Sequence, residues 1–207
     1  MSFSRFKLIF CIFLLTPLSA SASVFFEPTL IYQSNGTYDP QAGTTYKLNT
    51  IGYGLKLGYN FHEIPILLGG EYFMTSNSAY KSSQTTTNSI SGSENWFGAF
   101  VGFRLERLRI IGTYLISDNQ EIQTSDSNGN SLADIKDKGT GYKVGVYYDL
   151  FRHMSLGVEY YEVTYTSESN VTAGTGFSDL SPNAKRSAVM ASLSFPFHVL
   201  GEGKARR

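Results

Sequence analysis

From Ile51 to Phe61 every second side chain is large and apolar or aromatic: Ile51, Tyr53, Leu55, Leu57, Tyr59, Phe61. The positions between are small or polar, namely Gly52, Gly54, Lys56, Gly58 and Asn60. Period two held over this length predicts a β-strand with one face in apolar surroundings. Seven further segments repeat the pattern, and strands are expected over residues 24–33, 46–60, 65–75, 95–105, 108–118, 140–150, 154–165 and 186–198. The large face runs on through Phe26, Leu30 and Tyr32, through Phe97, Val101 and Phe103, and through Val144, Val146 and Tyr148. The opposite face carries Gly, Ser, Thr and charge.

The connections sort by length. Those after strands 2, 4 and 6 are tight (NFHEIP, LER, DLFRHM), whereas those after strands 1, 3, 5 and 7 are long and polar, such as residues 76–94 and 167–185. Short turns at one end, long loops at the other and strands of about ten residues match a sheet closed in a thin apolar layer. The expected fold is therefore all-β, an eight-stranded antiparallel up-and-down transmembrane β-barrel with its large face toward lipid and its termini at the short-turn end. A soluble lipocalin-like carrier inverts the faces and is the competing reading. Asn128-Gly129 is a favoured two-residue hairpin turn, so strands 5 and 6 are expected to project beyond the membrane as a ribbon.

The first residues refine this picture. Arg5 and Lys7 precede the apolar run Leu8 to Leu15, and Ala20-Ser21-Ala22 follows, the three parts of a secretory signal peptide with cleavage after Ala22. The expected division is residues 1–22 signal peptide, 23–200 barrel and 201–207 a short C-terminal tail. The single cysteine, Cys11, lies in the removed segment, so no disulfide framework supports the exported chain. The whole sequence has 17 Lys+Arg and 17 Asp+Glu. Without Arg5 and Lys7 the balance becomes net −2. The only basic cluster is Lys204, Arg206 and Arg207, which argues against a nucleic-acid partner. With 14 Tyr, 15 Phe and 20 Gly, the composition suits aromatic-rich strands rather than helices.

Charges on the small-residue face are Lys56, Glu71, Arg104, Lys143, Asp149 and Glu159. Pointed into the lumen of an eight-stranded barrel, they meet a space too narrow for an open pore and must pair to offset desolvation. In a hairpin, opposed residues have numbers with a constant sum fixed by the turn. That arithmetic sets Lys56 against Glu71 and Lys143 against Glu159 as cross-strand ion pairs, with Arg104 and Asp149 nearer the periplasmic rim. Glycines on this face are expected to relieve crowding and permit curvature.

The signal peptide, the eight alternating segments and pieces such as YKVGVYYDLFRHMSLGVEYYEVTY and SAVMASLSFPF resemble the small outer-membrane β-barrel proteins of Gram-negative bacteria. The opacity-like, OmpX-like and OmpA-transmembrane-domain families belong there. The resemblance covers the mature chain and implies residence in the outer membrane. It also implies delivery by the barrel-assembly machinery, which reads an aromatic-ended last strand; Phe195 and Phe197 fit that C-terminal assembly signal. The added HVLGEGKARR departs from members that stop at the terminal aromatic. The expected partners are outer-membrane lipid, the assembly machinery and an extracellular partner reached through the loops.

Three functions are weighed. The first is a non-enzymatic surface barrel acting through its long loops in envelope integrity, adhesion or recognition. The second is a narrow OmpW-like channel for small solutes, suggested by the Gly-rich interior face. The third is a lipid A-modifying enzyme, because His153-Met154-Ser155 with Glu159 is similar to the arrangement of PagL-type deacylases. A base must reach its nucleophile, but His153 falls in a periplasmic turn, the wrong end for that family's site. His62 and His198 read as rim residues. Asp126-Ser127-Asn128-Gly129-Asn130 with Asp134 and Asp137 echoes a calcium loop but lacks its sixth-position glycine and final glutamate. Gly52-x-Gly54 lacks the third glycine and following helix of a nucleotide motif. No catalytic residue, metal site or cofactor is assigned.

Overall fold

A computed structural model of the chain describes residues 22–41, 44–61, 64–82, 89–125 and 131–200. Residues 1–21 of the expected signal peptide, His62, Asn128-Gly129 with the rest of 126–130, and residues 201–207 lie outside the described residues. Nine strands are formed: β1 (Ala22–Gln41), β2 (Thr44–Phe61), β3 (Ile66–Ser82), β4 (Ser89–Leu105), β5 (Leu108–Ser125), β6 (Ser131–Phe151), β7 (Met154–Asn170), β8 (Ser178–Ser194) and β9 (Phe197–Leu200). From β1 to β8 each strand pairs antiparallel with the next, and β1 also pairs with β8, so the sheet closes on itself. Closure leaves no open edge, the requirement for a sheet in lipid.

The ring has eight staves, because β9 continues the line of β8. The break falls at Phe195-Pro196. A proline there cannot donate to the ladder, although the Phe195 N–H still bonds to the Pro28 carbonyl at 2.9 Å. Past the break β9 resumes on β1, with Phe197 opposite Phe26. The eighth strand expected as one run over 186–198 is thus interrupted. Phe195 is half-buried, and Phe197 faces outward with its ring 5.5 Å from that of His153.

The large face expected to meet lipid points away from the barrel axis. Ile51, Val101, Tyr114 and Val158 expose 66, 56, 59 and 61 % of their surface, within a continuous ring of exposed apolar and aromatic side chains. An apolar surface that extensive is not left in water. Among the described residues no helix is long and apolar enough to cross a membrane; the crossing is made by strands.

The strands outrun the expected boundaries. They contain 17 to 21 residues apart from β9, whereas about 9–11 tilted residues cross the apolar layer. Most of what reads as long polar loop is strand. Residues 42–43 alone lie between β1 and β2, and residues 171–177 between β7 and β8. The reason is an inversion of the faces. Beyond the belt the inward positions become apolar, with Tyr38, Leu48, Ile122 and Ala184 buried, while Lys47, Asn49, Ser93, Asn95 and Lys185 point outward into water. The ladder continues past register shifts such as Gln33–Gly36, Asn49–Ile51 and Thr75–Ser78, and its apolar face has crossed to the inside.

Candidate functional site in the barrel lumen

Alternation turns every second residue of each stave inward, and the inward residues fill the lumen in two polar layers. The layer nearer the short turns is built from six charges. Lys56 on β2 and Glu71 on β3 stand directly opposite in register, with Lys56 Nζ 3.3 Å from Glu71 Oε1. Lys143 on β6 is opposite Tyr161 and Glu159 on β7 is opposite Gly145. These two are diagonal neighbours rather than opposed, and the long lysine side chain spans the offset; Lys143 Nζ donates to Glu159 Oε2 at 2.6 Å.

The pairing does not stop at adjacent strands. Lys143 also bonds Glu71, three staves away, and Thr113 Oγ1 donates to the other Glu71 oxygen at 3.0 Å. Glu27 on β1 and Arg109 on β5, neither singled out from the sequence, face each other across the full width of the barrel, Arg109 Nη1 to Glu27 Oε2 at 2.5 Å. Glu27 lies 3.9 Å from Lys56 as well. Both residues were findable by parity: Phe26 and Leu30 point out, so Glu27 points in, and Arg109 between Leu108 and Ile110 does likewise. The Tyr147 ring lies 4.8 Å from Lys56 Nζ and 5.4 Å from the Arg109 guanidinium carbon, a cation–π floor that partly replaces water.

At the rim, Arg109 Nε and Arg104 Nη2 donate to the two Asp149 oxygens at 3.0 and 3.2 Å. Ser155 Oγ joins them, donating to Asp149 at 2.6 Å and accepting from Arg109 at 2.8 Å. Four cations (Lys56, Arg104, Arg109, Lys143) therefore meet four carboxylates (Glu27, Glu71, Asp149, Glu159). The rim opens on a shallow depression bounded by Phe25, Leu67, Arg104, Arg109, Arg152 and His198 among others. Above it Phe25, Leu67, Phe100, Ile111 and Tyr147 form a buried apolar cluster.

Phe73 and Trp96, with ring centroids 5.0 Å apart, lie between this layer and the next; Lys143 Nζ is 4.8 Å from the Trp96 ring. The Phe73 ring occupies the place of the side chain that Gly52 lacks, since a Cβ there would fall 2.5 Å from Phe73 Cζ. In the second layer Arg186 on β8 reaches Glu94 on β4, again the diametrically opposite stave, with Nη2 2.8 Å from Glu94 Oε2. Its Nη1 donates to Gln120 Oε1 at 2.7 Å and its Nε to Tyr161 Oη at 2.5 Å. Tyr165 Oη lies 3.1 to 3.4 Å from oxygens of Gln120, Asp118 and Glu94.

This second layer escaped the sequence for two reasons. Glu94 lies before the expected start of its strand. A register shift at Ile116–Ser117 of β5 flips the parity, so that Asp118 and Gln120 turn inward where the simple alternation points them out.

Beyond the belt, Tyr38 Oη donates to Asp137 Oδ2 at 2.7 Å. Burial pushes the Asp137 carboxyl up to about 6; the nearby Glu168 charge adds to the shift and the Tyr38 hydrogen bond opposes it.

The remaining candidates scatter. His153 Nδ1 is 3.1 Å from the Pro196 carbonyl oxygen, Ser155 is engaged with Asp149 and Arg109, and Glu159 with Lys143. No His–Ser–Glu unit is assembled among these bonds. His198 Nδ1 is 3.3 Å from Ser23 Oγ at the rim. Asp134 caps a neighbouring strand end, its N–H bonding Thr172 Oγ1 and its carbonyl the Val171 N–H. Among the described residues no three His, Cys, Asp or Glu side chains are grouped to hold a metal.

A closed ring of eight antiparallel staves, an apolar outer belt and a polar, ion-paired lumen define a transmembrane β-barrel of the outer-membrane class. The chain belongs to the family described as outer membrane protein beta-barrel domain, whose sequence model matches residues 8–195, and its place is the outer membrane. A search of curated proteins by sequence found no match. Solved structures share the fold. Neisserial surface protein A is similar at TM-score 0.54 and 11% identity, over 85% of this chain and 99% of that one. Ail, the attachment invasion locus protein of Yersinia pestis, is similar at 0.55 and 14%, over 84% and 99%. A major outer membrane protein from Thermus thermophilus is similar at 0.53 and 10%, over 84% and 100%. In this class the short turns are periplasmic and the long strand ends extracellular.

Proposed function

We propose that this is a non-enzymatic outer-membrane barrel whose lumen is a structural plug and whose work is done by its extracellular strand ends and their tips, in envelope integrity, adhesion or surface recognition. The observation that carries the reading is the consumption of the lumen charges. Lys56, Lys143, Arg109 and Arg186 are buried and each is bound to carboxylates on other strands, two of them across the whole barrel. Charges committed in this way hold staves together rather than await a substrate. The extracellular ends, by contrast, are long paired ribbons with polar outer faces, a rigid scaffold for variable tips.

The glycines that suggested an OmpW-like channel favour the plug instead. Phe73 fills the space beside Gly52, and Tyr147 lies 2.8 Å from the position of a Gly145 Cβ. The lipid A-modifying reading has its residues held by separate partners, His153 and Ser155 at the periplasmic rim and Glu159 in the ion layer with Lys143. Assembly through Phe195 and Phe197, cleavage after Ala22 and the division of the chain into segments 1–22, 23–200 and 201–207 remain part of this proposal.

Two measurements test it. In planar bilayers the wild-type protein is expected to stay closed, and a large, sustained conductance would overturn the plug. In a strain lacking the protein, replacing residues 171–177 by a two-residue turn is expected to preserve outer-membrane assembly but not to restore envelope resistance to detergent. Full restoration by the shortened form removes the tips from the function.

A further inference from the structure

The two lumen layers differ in their balance of charge. The periplasmic layer matches each cation with a carboxylate, whereas the extracellular layer holds two buried acids, Glu94 and Asp118, joined through the Tyr165 hydroxyl, and Arg186 is paired with Glu94. Among the described residues, the groups packed around the two acids supply no second cation. Gln120 neighbours Asp118 on β5, Tyr161 and Tyr165 approach from β7, Arg186 from β8 and Gln33 from β1, while Thr75 on β3 bonds only the Glu94 N–H. Lys143 is held below by Glu71 and Glu159 and touches the Trp96 ring, and Asp137 on β6 is bonded to Tyr38.

Hydrogen atoms are short in number at the same place. Three acceptor oxygens, Glu94 Oε1, Asp118 Oδ1 and Gln120 Oε1, converge on the single hydroxyl of Tyr165, which can donate to one of them. Asp118 Oδ2, fully buried, has no hydrogen-bond partner among the described residues. The two carboxyls gather on one hydroxyl, Tyr165 Oη lying 3.4 Å from Glu94 Oε1 and 3.2 Å from Asp118 Oδ1, a proximity that repels when both are ionised and is relieved when one is protonated.

We propose that Glu94 and Asp118 share one proton at neutral pH. The proton supplies the charge balance that Arg186 provides only once, and it adds a donor where the acceptors of β4 and β5 gather on the single Tyr165 hydroxyl. Arg186 holds Glu94 as the ionised member, Asp118 carries the proton as the member without a cation, and Tyr165 donates into the pair. Removal of the proton leaves an unmatched buried charge beside Trp96, so the extracellular half of the plug loosens in alkaline medium while the periplasmic half does not.

The test is infrared spectroscopy of the protein refolded in lipid, in an Asp137→Asn background so that this buried acid, which has no cation beside it, is silent. At neutral pH one protonated carboxyl band is expected, shifted in heavy water and missing when Asp118→Asn is added. A folded protein without the band, or a band that survives Asp118→Asn, overturns the proposal. So does a band that appears only after alkali or alkaline-earth ions are stripped, which would put a metal ion in the proton's place.

Trp96, the one tryptophan of the chain, sits opposite Asp118 in register and provides a second readout that needs no double variant. Its fluorescence in the wild type is expected to change reversibly between neutral pH and about pH 9, below the usual tyrosine range near 10. In Asp118→Asn it stays flat. A wild-type signal that is equally flat sinks the idea.

Discussion

The membrane-crossing part of the barrel and its extracellular extension are made from the same eight staves, yet they place opposite chemistry on the two faces. In the belt the outer face is apolar and the lumen is held by ions; beyond it the outer face carries Lys47, Ser93 and Lys185 and the interior is closed by Tyr38, Leu48 and Ile122. The difference teaches that the ladder itself is indifferent to which face is apolar. Backbone hydrogen bonds fix the staves, and the surrounding solvent decides which side chains each face tolerates. It also separates two kinds of stability: removing a partner in the ion layer strands a charge, whereas removing one from the outer extension releases it to water.

The largest effect is expected where that separation is sharpest. Glu71→Ala withdraws the carboxylate shared by Lys56 and Lys143 and should cost about 3–5 kcal/mol, read from urea unfolding in lipid vesicles. A cost below about 1 kcal/mol would mean that water enters the lumen. Next comes the outer face. Val101→Arg puts a charge in the apolar layer and should cost about 2–4 kcal/mol, while Ser93→Arg, on the same strand beyond the belt, should stay within about 0.5 kcal/mol. Equal effects at the two positions would erase the boundary between the regions.

Asp137 gives a pH dependence confined to the extension. Its carboxyl is raised to about 6, so the folded state holds the proton more tightly than the unfolded chain. Stability of this end is therefore highest below about pH 4 and declines as pH rises through about 6, by at most about 3 kcal/mol. Hydrogen exchange of β6 and β7 amides should follow that curve in the wild type and be flat there in Asp137→Asn. The smallest effect belongs to the exposed pair Lys136–Glu121, 3.2 Å apart. Lys136→Ala should change stability by less than about 1 kcal/mol and progressively less in high salt.

The belt was legible in the sequence because lipid imposes a strict rule: every second residue of TIGYGLKLGYNF must be apolar, and it is. Lys56 opposite Glu71 was legible for a related reason, since a tight turn fixes the register of its hairpin. The extension was hidden because its apolar residues are sparse and off the belt's pattern: Leu48 occupies the other parity of β2, and Tyr38 is turned inward only by the register shift between Gln33 and Gly36, so that both look like strays in a polar loop. The pairs Arg109–Glu27 and Arg186–Glu94 were hidden more deeply. Hairpin arithmetic relates neighbours, and nothing in one sequence aligns β5 with β1 or β8 with β4; that alignment arises only on closure. Asp118 needed one further fact, the shift of parity at Ile116–Ser117.

Those two pairs also bear on the shape of the ring. A hollow hoop squeezed from the side flattens to an ellipse long before any bond along its wall is stretched, because bending is soft and shearing is not. Arg109–Glu27 and Arg186–Glu94 each run along a diameter, one stave apart and at different heights. Flattening must shorten or lengthen at least one of these spokes, so lateral pressure from the bilayer is resisted by the ion pairs inside as well as by the wall, and the cross-section keeps its roundness.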